Sequence, residues 1–161
     1  MTTTRFHALL ILSLLAFAAS AAEPTNPDRA ARLSHQHAAE RAVRAALDHY
    51  LKGHATGDAS HMRKAFLPTA HIEGIRDGKF TSWTLEEYCA RFNGHPASDE
   101  AKRVRSIDVI DVSGDSAMAK ATLDHVDTVF TDYFVLLNTG GEWRIANKVY
   151  YGRKRQSTPS R

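Results

Sequence analysis

The sequence has few residues that could cross-link the chain or hold an inorganic group. Cys89 is the only cysteine among 161 residues, which excludes an internal disulfide. A multi-cysteine metal pattern, a Gly-rich phosphate loop and a nucleophile elbow are all absent. His71 and Glu73 are spaced to share one face of a strand, but a catalytic zinc site needs three protein ligands. We therefore expect no metal site and no cofactor.

The chain also lacks a strong excess of charge of one sign. Lys and Arg number 21 against 18 Asp and Glu, and no basic stripe runs through the region expected to fold. Domains that bind nucleic acid carry such a stripe, so we expect no nucleic-acid partner. The basic excess lies mainly at the end of the chain, where residues 153–161 are predicted to form a disordered tail.

Only one long hydrophobic run is present. It spans residues 8–19, follows Arg5 and precedes the small residues Ser20, Ala21 and Ala22. This order is typical of a secretory signal peptide, predicted here over residues 1–22. The run is shorter than the roughly 20 apolar residues of a membrane span. We expect a periplasmic or secreted protein with no membrane association after cleavage, and a single domain.

A polar lead-in over residues 23–29 precedes a long helix. The helix is predicted to begin at about residue 30 and to be ended by Gly53 and Gly57. One face of this helix is apolar because its hydrophobic residues recur at helical spacing. These residues are Val43, Leu47, Tyr50 and Leu51. Asp58 is a typical N-cap for a short second helix that ends before Pro68.

The middle of the chain carries two strong local signals. Asp77-Gly78 between extended runs predicts a hairpin over residues 70–83, because a tight turn needs positive φ at its centre. Thr84 and Glu87 form a capping box for a third helix over residues 84–94. Alternating patterns then predict four strands. They are residues 102–112, 117–126, 128–138 and 142–151. Helices followed by strands indicate an α+β fold, with the domain over residues 30–152.

Four segments resemble the nuclear transport factor 2-like superfamily, or cystatin-like cone, and most closely the bacterial family called putative lumazine-binding. They are HYLKGHATGD (49–58), FLPTAHIEGIRDGKF (66–80), SIDVIDVSGDSAMAKATL (106–123) and FTDYFVLLNTGGEWRIANKVYY (130–151). The resemblance covers about residues 36–152. It implies a curved antiparallel sheet wrapped around the long N-terminal helix, an internal pocket, and a homodimer formed through the outer sheet face. The same fold hosts enzymes and binding modules, so it does not choose a function.

Polar residues among the apolar positions of the last two strands are candidate site residues. Asp132 alternates with Phe134, and Asn147 alternates with Trp143, so each is expected on the concave face. A few polar groups on an apolar wall are typical of a small-molecule site. The alternative is that Asp132 makes a structural hydrogen bond or a surface ion pair, for instance with Lys148.

Further candidates come from the first strand and the helices. His71 is a further candidate acid or base, because the first strand borders the pocket in the fold that the resemblance implies and a neutral imidazole both donates and accepts a proton. The alternative is a histidine at the rim or on the surface. Tyr50 resembles by location the ligand-facing phenol of ketosteroid isomerases. Trp83 and Tyr88, together with Phe134 and Trp143, are candidate ligand contacts, although Trp83 and Tyr88 also fit a hydrophobic staple.

Three functions remain open from the sequence. The first is an exported cone that binds a small, partly aromatic molecule without turnover. The second is a cofactor-free isomerase, dehydratase or cyclase in which Asp132 or His71 moves a proton while Tyr50 or Asn147 steadies an oxyanion. The third is a structural or partner-binding domain whose cone is filled by its own side chains.

Overall fold

A computed structural model of the protein describes residues 26–76 and 78–156. The predicted signal peptide, the first part of the lead-in and the last residues of the tail lie outside this part of the chain, as does Asp77. Within it, no helix is long and apolar enough to cross a membrane.

The first helix, α1, spans Pro27–Thr56; it begins earlier than predicted, and of the two predicted end points it ends at Gly57 and not at Gly53. It begins early because the Asn26 side chain accepts hydrogen bonds from the first free backbone N–H groups. Gly53 lies inside α1 and does not end it. A Cβ at Gly53 would lie 2.6 Å from Cε of Met62, so glycine permits a close approach of the next helix. The helix stops at Gly57, whose φ is +70°.

Two short helices follow the predicted capping signals. Helix α2 spans Ala59–Ala65, with Asp58 as its N-cap, and α3 spans Leu85–Cys89. The capping box of Thr84 and Glu87 is confirmed, since both reciprocal hydrogen bonds are present. Helix α3 ends five residues before Gly94, because the chain tightens into i→i+3 hydrogen bonds after Cys89.

Six strands form one curved sheet. They are β1 (Phe66–Arg76), β2 (Lys79–Thr84), β3 (Val104–Ser113), β4 (Ser116–His125), β5 (Thr128–Thr139) and β6 (Glu142–Lys154). Their order is β2-β1-β6-β5-β4-β3. The predicted α+β fold is confirmed, but the sheet is mixed, since β1 and β6 are parallel. The β3–β6 meander starts at the far edge and returns, which brings β6 beside β1 in the same direction. Residues 153–154, predicted as tail, belong to β6.

The core lies between α1 and the concave face of the sheet. Val43, Leu47 and Tyr50 on α1 are fully buried, and so are Phe66 and Ile145 on the strands. Residues 27–38 of α1 are exposed. The second half of α1 therefore supports the sheet and holds Tyr50 inside the cone.

Candidate functional site

A β-bulge in β6 decides which polar residues enter the cone. Val135 of β5 pairs with Asn147, whereas the next residue, Leu136, pairs with Ile145. Ala146 is thus an extra residue on β6. A bulge of this kind reverses the inward and outward alternation beyond it.

The bulge corrects the predicted position of Asn147. Before the bulge Trp143 and Ile145 face the core, and after it Lys148 faces inward at 4 % exposure. Asn147 and Val149 therefore face outward, with Val149 46 % exposed. The prediction that Asn147 points into the cone is wrong because strict alternation does not continue through the bulge.

His71 also lies on the outer side of the sheet. Its neighbour Ile72 is fully buried, whereas His71 is exposed. The His71 backbone N–H donates to Oδ1 of Asn147 at 3.1 Å, and Nδ2 of Asn147 donates to Oε2 of Glu73 at 3.1 Å. His71 therefore does not line the pocket, in agreement with the alternative of a surface imidazole, and these residues form a polar cluster outside the cone.

Asp132 faces the inside of the cone, as its alternation with Phe134 predicts, and is 1 % exposed. The hydroxyl of Tyr50 donates to its Oδ2 at 2.5 Å. The ammonium of Lys148 lies 3.2 Å from the same oxygen and donates to the Tyr50 hydroxyl at 2.8 Å. Asp132 and Lys148 do form an ion pair, but inside the pocket and not on the surface.

The protonation of this cluster follows from its surroundings. Burial, followed by the negative charge of Asp132, holds the pKa of Tyr50 well above its usual value, so its phenol stays neutral. Burial acts to lower the pKa of Lys148, but Asp132 and Tyr88 outweigh it and the pKa is raised. Lys148 is therefore an ammonium ion, placed 4.9 to 5.4 Å from the ring centroids of Tyr50, Tyr88 and Tyr150.

The two carboxylate oxygens of Asp132 differ in their hydrogen bonding. Oδ1 is buried and has no hydrogen-bond partner among the described residues. A buried polar atom without a partner costs about 1 to 3 kcal/mol. Because Asp132 is a lining residue of the pocket, Oδ1 is a candidate acceptor for a hydrogen bond from a bound molecule.

The pocket has a volume of about 300 Å³ and opens to the surface. Its walls come from α1, α3 and five strands. The lining residues used below are Tyr50, His54, Arg76, Trp83, Tyr88, Arg91, His125, Thr128, Phe130, Asp132, Lys148 and Tyr150. Trp83 and Tyr150 stack with nearly parallel rings, 6° apart. Four of the predicted site residues therefore meet in one pocket: Tyr50, Trp83, Tyr88 and Asp132.

Two predicted ligand contacts lie elsewhere. Phe134 and Trp143 are buried in the core and do not line the pocket. Phe134 packs edge-on against the ring of Tyr50 at 5.1 Å between centroids. Phe134 therefore supports the pocket wall from behind, whereas Trp143 belongs to the core and pairs with Asn138 near the start of β6.

Two histidines in the pocket were not predicted as site residues. Nε2 of His54 lies 2.9 Å from the Tyr88 hydroxyl, and burial, with the charge of Lys148, lowers the pKa of His54 well below 6.5. Burial and two neighbouring arginines lower the pKa of His125 to about 4. Both imidazoles are neutral at pH 7. His54 follows Tyr50 by four residues on α1, and that spacing placed it on the same face.

The described residues, 26–76 and 78–156, bring together no group of three or more His, Cys, Asp or Glu side chains that could hold a metal ion.

Comparisons with known proteins agree with this architecture. The profile of the family described as "Putative lumazine-binding" matches residues 38–151. No curated protein has a matching sequence.

Three solved structures, each described as an NTF2-like protein of unknown function, are similar to the chain. That from Shewanella baltica is 28% identical, with a TM-score of 0.65 over 71% of this chain and 94% of its own. That from Silicibacter pomeroyi is 25% identical, with a TM-score of 0.64 over 74% and 98%. That from Methylobacillus flagellatus is 26% identical, with a TM-score of 0.61 over 70% and 90%.

Proposed function

The chain belongs to the "Putative lumazine-binding" family of the NTF2-like superfamily, and from this premise we propose that it is an exported protein that binds a small, partly aromatic molecule in its cone. The signal-peptide pattern of residues 1–22 supports export. Membership of the family supports a ligand-binding cone. The residues that line the pocket support the size and chemistry of the ligand.

The observation that carries the proposal is the free oxygen of Asp132. Its Oδ1 lacks a partner within the described chain, and Asp132 lines a pocket of about 300 Å³, within the range of small-molecule sites. An N–H or O–H of a ligand would satisfy it. Trp83, Tyr88 and Tyr150 supply flat apolar walls for an aromatic body.

Binding without turnover fits the hydrogen bonds better than catalysis does. Tyr50 and Lys148 are the donors that could steady an oxyanion, but both are engaged with Oδ2 of Asp132. His71 lies outside the pocket, so the acid or base role suggested for it is not available there, although the imidazoles of His54 and His125 line the pocket. The enzyme alternative retains Asp132 as a base. Turnover of a carbon acid that Asp132→Asn abolishes, with binding kept, would favour it.

The experiment uses two matched substitutions on β5. Thr128 lines the pocket, and Thr131 lies on the opposite face of the same strand. Thr128→Trp should fill the pocket, whereas Thr131→Trp adds the same side chain outside it. Native mass spectrometry of the exported protein should then detect a bound small molecule in the wild type and in Thr131→Trp, and none in Thr128→Trp. The same occupancy in all three proteins, or none in any, would contradict the proposal.

The outer face of the sheet supports a homodimer. Six large apolar side chains on β4, β5 and β6 are 42 to 60 % exposed there: Met118, Tyr133, Val135, Leu137, Val149 and Tyr151. They are contiguous, since Met118 pairs with Val135 and Tyr133 with Val149. Apolar patches of this kind mark association surfaces.

Light scattering tests the dimer. Val135→Asp should give a monomer at concentrations where the wild type is a dimer. Leu33→Asp is the control, because Leu33 is 46 % exposed in the exposed part of α1, residues 27–38. A wild-type monomer, or a dimer that survives Val135→Asp, would contradict the proposed pairing.

A further inference from the structure

The mouth of the pocket carries two guanidinium groups. Arg76 is the last residue of β1, and Arg91 follows α3; both line the pocket and both are exposed. Cζ of Arg91 lies 4.8 Å from the ring centroid of Trp83. At this distance the guanidinium makes a cation–π contact with the aromatic wall, and such a contact leaves N–H groups available as donors.

Neither guanidinium makes an ion pair or a side-chain hydrogen bond with another residue of the described chain. Other arginines of the protein are paired: Arg63 with Glu86 at 2.7 Å and Arg105 with Glu100 at 2.6 Å. Among residues 26–76 and 78–156, Asp132 is the carboxylate that lines the pocket, and it is bound to Lys148 at the inner end. Arg76 and Arg91 therefore place positive charge at the entrance that no carboxylate of the described part of the chain pairs with.

The two ends of the pocket thus favour opposite groups. At the inner end, Lys148 already balances the charge of Asp132, and the free Oδ1 is an acceptor that calls for an N–H or O–H donor. At the mouth, an arginine fork binds a carboxylate, sulfonate or phosphate through paired N–H groups. Stacked rings of Trp83 and Tyr150 lie along the wall.

From this polarity we propose that the ligand is an aromatic acid, bound with its anionic group at Arg76 and Arg91 and with an N–H or O–H directed at Asp132. This inference rests on the proposed binding function of the same pocket, and it adds the ligand's charge and orientation.

Two fluorescent probes with the same ring system test the charge. Anilinonaphthalene sulfonate is an anion, and phenylnaphthylamine has the same rings and N–H without the sulfonate. Arg76→Gln/Arg91→Gln should weaken the sulfonate probe about tenfold and the neutral probe less than twofold, since an exposed ion pair contributes modestly. The loss should shrink at high salt. Arg29→Gln/Arg32→Gln is the control, because it removes the same charge from the exposed start of α1.

Thr128→Trp separates the two levels of the proposal. Probe binding that Thr128→Trp abolishes lies in the pocket, and binding that survives lies on the outer sheet face. If both probes bind in the pocket and the double arginine variant leaves the sulfonate probe unchanged, the anionic ligand is wrong while the binding function stands. If Thr128→Trp alters neither probe, both proposals are overturned.

Discussion

Replacing Lys148 by methionine should destabilise the protein strongly. The substitution keeps the length of the apolar stem and removes the ammonium that lies 3.2 Å from Oδ2 of Asp132. At that distance, with an effective dielectric constant of about 20, the attraction is roughly 5 kcal/mol. Lys148 no longer has to be desolvated in the variant, which offsets part of the loss. Removing one partner of a buried ion pair costs about 3 to 5 kcal/mol, and we expect about 3 to 4 here.

Urea denaturation at pH 7, followed by fluorescence of Trp83 and Trp143, measures this loss. The double variant Asp132→Asn/Lys148→Met removes both charges and should recover most of the stability. Lys79→Met is the control, since Lys79 is exposed and its loss should change stability by about 0.5 kcal/mol or less.

Two results would refute this reasoning. One is a loss below about 1 kcal/mol in Lys148→Met, which would mean that the pair is solvated. The other is a double variant as unstable as the single one, which would mean that Lys148 stabilises the fold by packing and not by its charge.

Three further predictions concern other parts of the chain. Since the pKa of His125 is lowered to about 4, the unfolded chain takes up its proton first, and stability should fall from about pH 6.5 to about pH 4. His125→Gln should reduce that fall by about 1 to 2 kcal/mol, because the side chain is partly solvated. Gly74→Ala should cost about 1 to 3 kcal/mol in chemical denaturation, as its Cβ would lie 2.7 Å from the Tyr150 ring and backbone, whereas Ser82→Ala should cost little. Thr84→Ala should cost about 1 kcal/mol by removing the cap of α3, and Thr84→Ser should restore it.

Much of the fold could be predicted because its signals are local. The capping box at Thr84 and the N-cap at Asp58 depend only on neighbouring backbone groups. Strand alternation placed Asp132 on the concave face. The helix boundary at Gly53 was misjudged because the reason for that glycine is a tertiary contact with Met62.

The site was predicted less completely for the same reason. The bulge at Ala146 depends on how β6 pairs with β5. The sequence of β6 contains no residue that predicts it. Because of this bulge, Lys148 faces the inside of the cone and Asn147 faces outward. The parallel pairing of β1 and β6 is likewise set by the whole meander and not by either strand alone.

The most direct test of the central claim is a crystal structure of the protein purified after export, with whatever molecule it retains. We predict a small aromatic molecule inside the cone, with a donor atom at about 3 Å from Oδ1 of Asp132. A cone closed by its own side chains, with Oδ1 bonded to another group of the protein, would contradict the account.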